Sequence, residues 1–250
     1  MSELRTDAYL GGRVQITQPT KGYRAGTDPV LLAAAVPALA GQTVLELGCG
    51  VGTALACLTH RVEGLRLVGV ERSERTAQLA RQNLPQAEII TADLEDLPSS
   101  LRAKTFDHVL MNPPFQSPDA PAAPDPERDE ANREDTSLAA WFDVACRRAA
   151  PGGSITVVLP TWRLPDILRG LDGRAGDTTV LPLAARKGQG AARVIVQARK
   201  GRAGPLILAA PLVLHPGAHH QDDQGRFTAE VEAILRDGAP LKMSRSLDSK

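Results

Sequence analysis

"TVLELGCGVGTALACLTHRV", residues 43–62, holds the run of residues that decides the fold. Thr43 to Leu47 is a short apolar segment that reads as a strand and stops at glycines. Gly48, Gly50 and Gly52 allow the backbone to turn tightly and to come close to a ligand. Residues 52–62 then read as a helix. Strand, tight turn and helix in immediate succession form the repeating unit of an open α/β sheet. The glycines follow G-x-G-x-G. The nicotinamide-dinucleotide fingerprint is G-x-G-x-x-G, and its last glycine falls on Thr53 here, which disfavours a dehydrogenase.

Working outward, the same unit recurs. "LRLVGVE" (65–71) is a strand ending in Glu71, and "SERTAQLARQNL" (73–84) a helix with Ser73 as its cap. "AEIITAD" (87–93) is a strand ending in Asp93, and "FDHVLMNPPF" (106–115) a strand ending in Asn-Pro-Pro. "TSLAAWFDVACRRAA" (136–150) is an amphipathic helix, "GSITVVLP" (153–160) a buried strand, and "WRLPDILRGLDG" (162–173) a short helix. "TTVLPLAA" and "AARVIVQAR" flank "RKGQG" (186–190) as a hairpin. "GPLILAAPLVLH" (204–215) reads as a further strand, and "TAEVEAILRDG" (228–238) as a last helix stopped by Gly238. On the amino-terminal side, "AYLGGRVQITQ" (8–18) reads as a hairpin. "TDPVLLAAAVPALA" (27–40) is a helix with Asp28 as N-cap and Pro29 at its first position. The alternation predicts an α/β domain: a mostly parallel sheet with helices on both faces and an antiparallel edge. The segment 116–136, rich in Pro, Ala and acids, interrupts the rhythm. A connection of that length is functional or disordered, and its place after Asn-Pro-Pro predicts a mobile lid. A single domain is expected over 1–250: an extension (1–40), a core (41–200), and a C-terminal strand, helix and tail (201–250).

Composition narrows the function classes. The chain has 250 residues, 42% hydrophobic and 23% charged, with formal net charge +0. A balance of zero gives no global field for nucleic acid, so any such binding needs a local patch. The start, "MSELRTDAYL", has no apolar targeting region, and no apolar run is long enough to span a bilayer. Cys49, Cys57 and Cys146 form neither a disulfide framework nor a zinc pattern. The expectation is a cytoplasmic protein with no membrane segment and no metal.

In open α/β sheets ligands bind outside the carboxyl ends of the strands. Four such ends carry candidate residues: the glycine turn, Glu71, Asp93, and Asn112-Pro113-Pro114-Phe115. Glu71 lies roughly 20 residues past the glycines, where an acid can accept from ribose hydroxyls. Asp93 can accept from an adenine amino group or cap the next turn. Proline donates no backbone hydrogen bond and holds the preceding residue extended. Asn112 is therefore presented at a strand end, and the Pro113 carbonyl has no competing N–H beside it.

As an ordered set, these residues resemble the class I S-adenosylmethionine-dependent methyltransferases over roughly residues 28–200. "VLELGCGVG" is similar to their glycine-rich first motif, and "NPPF" to the (D/N)PP(Y/F/W) motif of those that methylate exocyclic or amide nitrogens. The resemblance implies a Rossmann-like seven-stranded sheet with an antiparallel C-terminal hairpin and an N-terminal hairpin/helix extension. It implies S-adenosylmethionine as cofactor, contacted by Glu46, Gly48, Gly50, Gly52, Glu71, Asp93 and Asn112. It makes Asn112, Pro113, Pro114 and Phe115 the catalytic group. "KGYRAGTDPVLLAAAV" (21–36) and "PERDEA" (126–131) resemble the bacterial valine-tRNA (adenine-N6)-methyltransferases, which implies transfer to adenine N6 in tRNA. Phe115, where that group more often has Tyr, keeps guanine-N2 transfer in ribosomal RNA open. Glutamine-N5 transfer to protein and a non-enzymatic cofactor-binding module are the other readings.

Such a reaction needs geometry. The lone pair of an exocyclic amino nitrogen is conjugated into its ring, so two acceptors on its N–H bonds are needed to aim it. The Asn112 side-chain oxygen and the Pro113 carbonyl are the expected acceptors, and Phe115 the stacking surface for an extruded base. Lys21, Arg24, Arg186, Lys187 and Arg193 are the expected RNA contacts, through phosphates that position without reading sequence.

Overall fold

The computed structural model describes residues 3–21, 25–115, 136–217 and 226–244. Nine strands form the main sheet and two form a separate N-terminal hairpin. The hairpin is β1 (Leu4–Tyr9) with β2 (Val14–Pro19), paired antiparallel. Helix α1 (Asp28–Ala35) follows. The sheet is then built from β3 (Thr43–Leu47), β4 (Arg66–Glu71), β5 (Glu88–Thr91), β6 (Phe106–Met111) and β7 (Ala149–Pro160). It is completed by β8 (Ala175–Ala184), β9 (Ala191–Lys200) and two short strands, β10 (Ile207–Leu208) and β11 (Leu212–Val213). The connecting helices are α2 (Thr53–Arg61), α3 (Glu74–Asn83), α4 (Ser99–Arg102), α5 (Leu138–Arg148), α6 (Leu164–Leu171) and α7 (Ala229–Asp237).

The strand order is β10-β8-β9-β7-β6-β3-β4-β5. Pairing is parallel from β5 through β7 and antiparallel where β9 enters between β7 and β8. The chain moves outward from β3 to β4 and β5, then returns to place β6 on the other side of β3. That reversal leaves a crevice at the carboxyl ends of β3 and β6, where α/β sheets bind ligands.

Period-two alternation places the apolar residues of each strand on two faces. Val44, Leu110, Val158 and Ile195 join the core under α1, α2, α7 and the hairpin. Leu45, Leu47, Val109, Met111 and Val157 join the core under α5 and α6. The N-terminal hairpin shares the first core through Leu10, Val14 and Ile16.

The fold differs from the sequence reading at the C-terminal strand, where two short strands bring the sheet to nine against the seven expected, and at the cap of α1. Residues 204–215 form no single strand. They make two contacts of two residues each, β10 and β11, both parallel to β8. These lie outside β8, so the β8–β9 hairpin is one strand in from the edge. Pro205 and Pro211 flank these contacts, and proline cannot donate to a ladder. Helix α1 begins at Asp28 with Thr27 before it, and Thr27 makes no side-chain cap bond. The Asp28 carboxylate pairs instead with Arg193. The lid expected over 116–136 lies outside the described residues up to position 135.

Candidate active site

The glycine turn leaves β3 with all three glycines at positive φ: +64° at Gly48, +54° at Gly50 and +88° at Gly52. Their surroundings differ. A Cβ on Gly48 would lie 2.5 Å from Cη2 of Trp141, and one on Gly52 2.6 Å from Cδ1 of Leu84. One on Gly50 would meet nothing within 4 Å among the described residues beyond its chain neighbours. Side chains therefore press on the turn at Gly48 and Gly52, and Gly50 faces open space.

The β4 end curls against this turn. Glu71 accepts from the Gly50 amide at 3.0 Å through Oε2 and from the Ser73 amide at 2.9 Å through Oε1. Its carboxylate thus braces the glycine turn while standing half-exposed at the strand end. Beyond β5, Asp93 uses Oδ1 to cap the 3₁₀ turn 94–96, accepting from the Glu95 amide at 2.9 Å. The capping role is present, and the half-exposed carboxylate stays at the carboxyl edge of the sheet.

Glu46 points to the opposite face from Leu45 and Leu47 and is 4% exposed. Burial pushes its pKa well above the usual range. A backbone hydrogen bond from Leu55 opposes the rise and the charge of Glu71 adds to it. Among the described residues, its Oε2, the Thr53 hydroxyl and the Trp141 indole nitrogen are buried polar atoms with no hydrogen-bond partner. Buried polar groups are generally satisfied, and these three of the five such atoms belong to residues flanking the glycine turn or packed on it. Together with the open side of Gly50, they fit a polar, close-approaching cofactor. A cofactor contact from Glu46 would be made through this unpartnered Oε2.

Leu47 of β3 pairs with Met111 of β6, so the glycine turn and the Asn-Pro-Pro segment leave adjacent strand ends. Asn112, Pro114 and Phe115 are half-buried and Pro113 is buried. Phe115 is held from two sides. Its carbonyl accepts from Arg163 Nη1 at 3.4 Å, and the Arg193 guanidinium carbon lies 5.0 Å from its ring centroid. Arg193 in turn pairs with Asp28 at 3.2 Å.

The cations expected to meet RNA divide. Pro160 of β7 pairs with Arg193 at the start of β9, which places the β8–β9 turn on the same rim as Asn112. Lys187 is exposed on that turn, and Lys21 is exposed before α1. Arg186 is not a surface residue: it is 6% exposed and donates to the Gly217 carbonyl at 3.1 Å. Arg24 lies outside the described residues. Arg193 sits at the mouth of the site against Phe115.

Two positioning residues escaped the sequence reading. Trp141 fills the space over Gly48. Asn83, at the end of α3, accepts from the Thr17 amide at 2.9 Å and donates to the Thr17 and Val51 carbonyls at 3.0 and 2.9 Å. It ties β2 to the glycine turn. Its place as the last residue of a helix is the only signal it gives in the sequence. Among the described residues, no group of three or more His, Cys, Asp and Glu is placed to hold a metal, and no helix is long and apolar enough to cross a membrane.

The family model of the methyltransferase small domain matches residues 25–162. The chain is similar to the tRNA1(Val) (adenine(37)-N6)-methyltransferase of Dickeya chrysanthemi, 28% identical over 243 residues, covering 94% of each protein. It is also similar to the enzyme of that description from Yersinia pestis, 34% identical over 145 residues, covering 55% of this chain and 58% of that protein. Among solved structures, a predicted O-methyltransferase from Agrobacterium tumefaciens aligns with a TM-score of 0.71 at 24% identity, covering 88% of this chain and 100% of that one. A Thermus thermophilus 16S rRNA N2 G1207 methyltransferase, in complex with AdoMet and guanosine, aligns at 0.56 and 19% identity, covering 79% and 50%. These structural likenesses show the fold.

Proposed function

The chain belongs to the methyltransferase small-domain family, and from that premise, S-adenosylmethionine-dependent methyl transfer, we propose that the acceptor is the exocyclic N6 of an adenine in RNA, with tRNA as the substrate class. The observation that carries this reading is the pairing of Leu47 with Met111. It sets Asn112-Pro113-Pro114-Phe115 beside the glycine turn, so the acceptor and the methyl donor would meet at one crevice. The Dickeya relative, matched along nearly its whole length, supports the adenine-N6 assignment.

The residues divide the work. Gly50 and the Glu71-braced turn would hold the cofactor, with Asp93 at the rim. S-adenosylmethionine supplies a methyl group on a sulfonium, already a good leaving group. The protein's task is then orientation and transition-state electrostatics. The Asn112 side-chain oxygen and the Pro113 carbonyl accept from the two N–H bonds of the amino group. This draws the nitrogen toward tetrahedral geometry and aims its lone pair. Phe115 stacks on the base, which must leave its own stack to enter. Lys21 and Lys187 meet phosphates around the mouth.

The test is transfer of labelled methyl from S-adenosylmethionine into unmodified tRNA, ribosomal RNA and protein fractions, followed by mass spectrometry of the products. The expected product is N6-methyladenosine in tRNA. N2-methylguanosine in ribosomal RNA, or N5-methylglutamine in protein, overturns the assignment of the acceptor.

A further inference from the structure

The chain has two tryptophans, and they are placed oppositely. Trp141 is packed over Gly48, whereas Trp162 is 61% exposed. Tryptophan is highly buried on average, so its position matters. Trp162 lies in the 3₁₀ turn Thr161–Arg163, which leaves β7 at the carboxyl edge of the sheet. The turn is anchored: Thr161 Oγ1 donates to the Ala191 carbonyl at 2.9 Å, and Arg163 pairs with Asp166 at 2.8 Å. The Arg163 guanidinium is the link to the acceptor site. Its carbon is 5.2 Å from the Trp162 ring centroid, and its Nη1 donates to the Phe115 carbonyl. Arg163 is 7% exposed, so this link is fixed. On the far side, Phe115 carries Arg193 over its ring. Trp162 and Phe115 are thus two aromatic side chains joined through the buried Arg163 guanidinium, with Arg193 over the Phe115 ring. Aromatic faces and guanidinium planes are the surfaces on which unpaired nucleotides stack.

We propose that Trp162 is a stacking site for an unpaired nucleotide flanking the methylated one, distinct from Phe115, which takes the target base. The proposal rests on the RNA reading above. The indole stands outside the crevice, too exposed to be a wall of the acceptor pocket. Arg163 ties it to the Phe115 backbone, so a base stacked on it would be held at a set distance from the target. An aromatic face stacks on every base, so the site would add affinity and register with little sequence preference.

The test uses the full chain with S-adenosylhomocysteine and an unmodified transcript of valine tRNA. Wild-type tryptophan fluorescence should be quenched on saturation with the transcript, and most of that change should vanish in Trp162→Phe. Trp162→Ala should raise KM for the transcript about tenfold, the scale of one lost base–aromatic stack, with kcat and cofactor affinity nearly unchanged. Trp162→Phe, which keeps a stacking face, should restore most of KM. A wild-type KM in Trp162→Ala overturns the proposal. If that variant melts too early to be assayed, the absence of quenching in the wild-type enzyme overturns it instead. The RNA reading is judged beforehand on the wild type alone: if no methyl enters RNA, that reading falls and the stacking site with it.

Discussion

Gly50→Ala separates the demands of the fold from those of the cofactor. Alanine at φ +54° carries left-handed strain of roughly 1–2 kcal/mol. Loss of freedom in the unfolded chain offsets about 0.4–1 kcal/mol of it. Among the described residues, no atom beyond its chain neighbours lies within 4 Å of the added methyl, so no packing cost is added. The net loss is about 1 kcal/mol, or about 2–4 °C in melting temperature for a chain of this size. Gly48→Ala is the control. It has the same strain, but its methyl would lie 2.5 Å from the Trp141 ring, and overpacking adds ~1–3 kcal/mol. It should therefore melt well below Gly50→Ala. If the cofactor comes into contact with the Gly50 backbone, the methyl overpacks that contact instead. By the same ~1–3 kcal/mol, affinity for S-adenosylhomocysteine should fall roughly 5- to 150-fold. Differential scanning fluorimetry and titration calorimetry on the two variants read both effects. Gly50→Ala binding with wild-type affinity, alongside its small melting loss, would falsify the placement of the cofactor at this glycine.

Four other substitutions address different parts of the molecule. Asn112→Ala should lose roughly 10²–10³ in single-turnover methylation, by analogy with one lost oxyanion donor. Calorimetry should find its cofactor affinity largely kept, and a wild-type rate would return the Asn-Pro-Pro turn to a purely structural role. Lys187→Ala should lower the salt slope of RNA binding by about one contact. Arg186→Ala should leave that slope alone and lower the melting temperature, because its guanidinium is inside the protein; an equal effect on the slope from both would contradict this division. His108, 2% exposed, has its pKa lowered by burial from 6.5 to about 4. Its Nε2 faces the acceptor Oε1 of Gln42 at 2.8 Å, and Nδ1 meets the Ser154 hydroxyl at 2.7 Å, which assigns the neutral Nε2–H form. The unfolded chain takes up the proton first, so this stability is intact above pH 6.5 and is lost as pH falls toward 4. The loss is roughly 2 kcal/mol at pH 5. Urea unfolding of His108→Gln should show a flatter pH dependence, and an unchanged one would refute the assignment.

The parallel core was legible because its signal is local. Each strand is short and apolar, ends in a glycine, acid or proline, and leads into a helix or a turn. The β8–β9 hairpin was legible for the same reason, from two β-branched runs around "RKGQG". Residues 204–215 misled because their apolar pattern reads as one strand, whereas Pro205 and Pro211 permit only brief contacts with β8. The burial of Arg186 was not legible. Charge in a hairpin turn reads as solvated, and the carbonyl that satisfies this guanidinium comes from Gly217, 31 residues away. Trp141 stands in a segment read only as an amphipathic helix, and nothing in a helix pattern says which glycine an indole covers. Asp28 was read as a cap because an acid before Pro29 usually is one. Its partner, Arg193, is 165 residues further on.

That last contact gives the N-terminal extension a part in the site. Tyr9 donates to the Ala25 carbonyl at 2.7 Å, and the Ala25 amide donates to Gln18 at 3.2 Å. The hairpin thereby fixes the chain just before α1. Asp28, three residues on, holds Arg193, and Arg193 lies over Phe115. None of these links is strong. The ion pair leaves about a third of each side chain exposed, and such a pair contributes at most about 1 kcal/mol. A cation over an aromatic ring at a partly exposed site adds about 0.5–1 kcal/mol. Sums of this size do not decide whether the domain folds. They do decide which orientation an aromatic ring prefers at the end of a strand, and a bias of 1.4 kcal/mol is already about tenfold in population. The extension is therefore linked to Phe115 through Asp28 and Arg193, by contacts that bias the ring without fixing it.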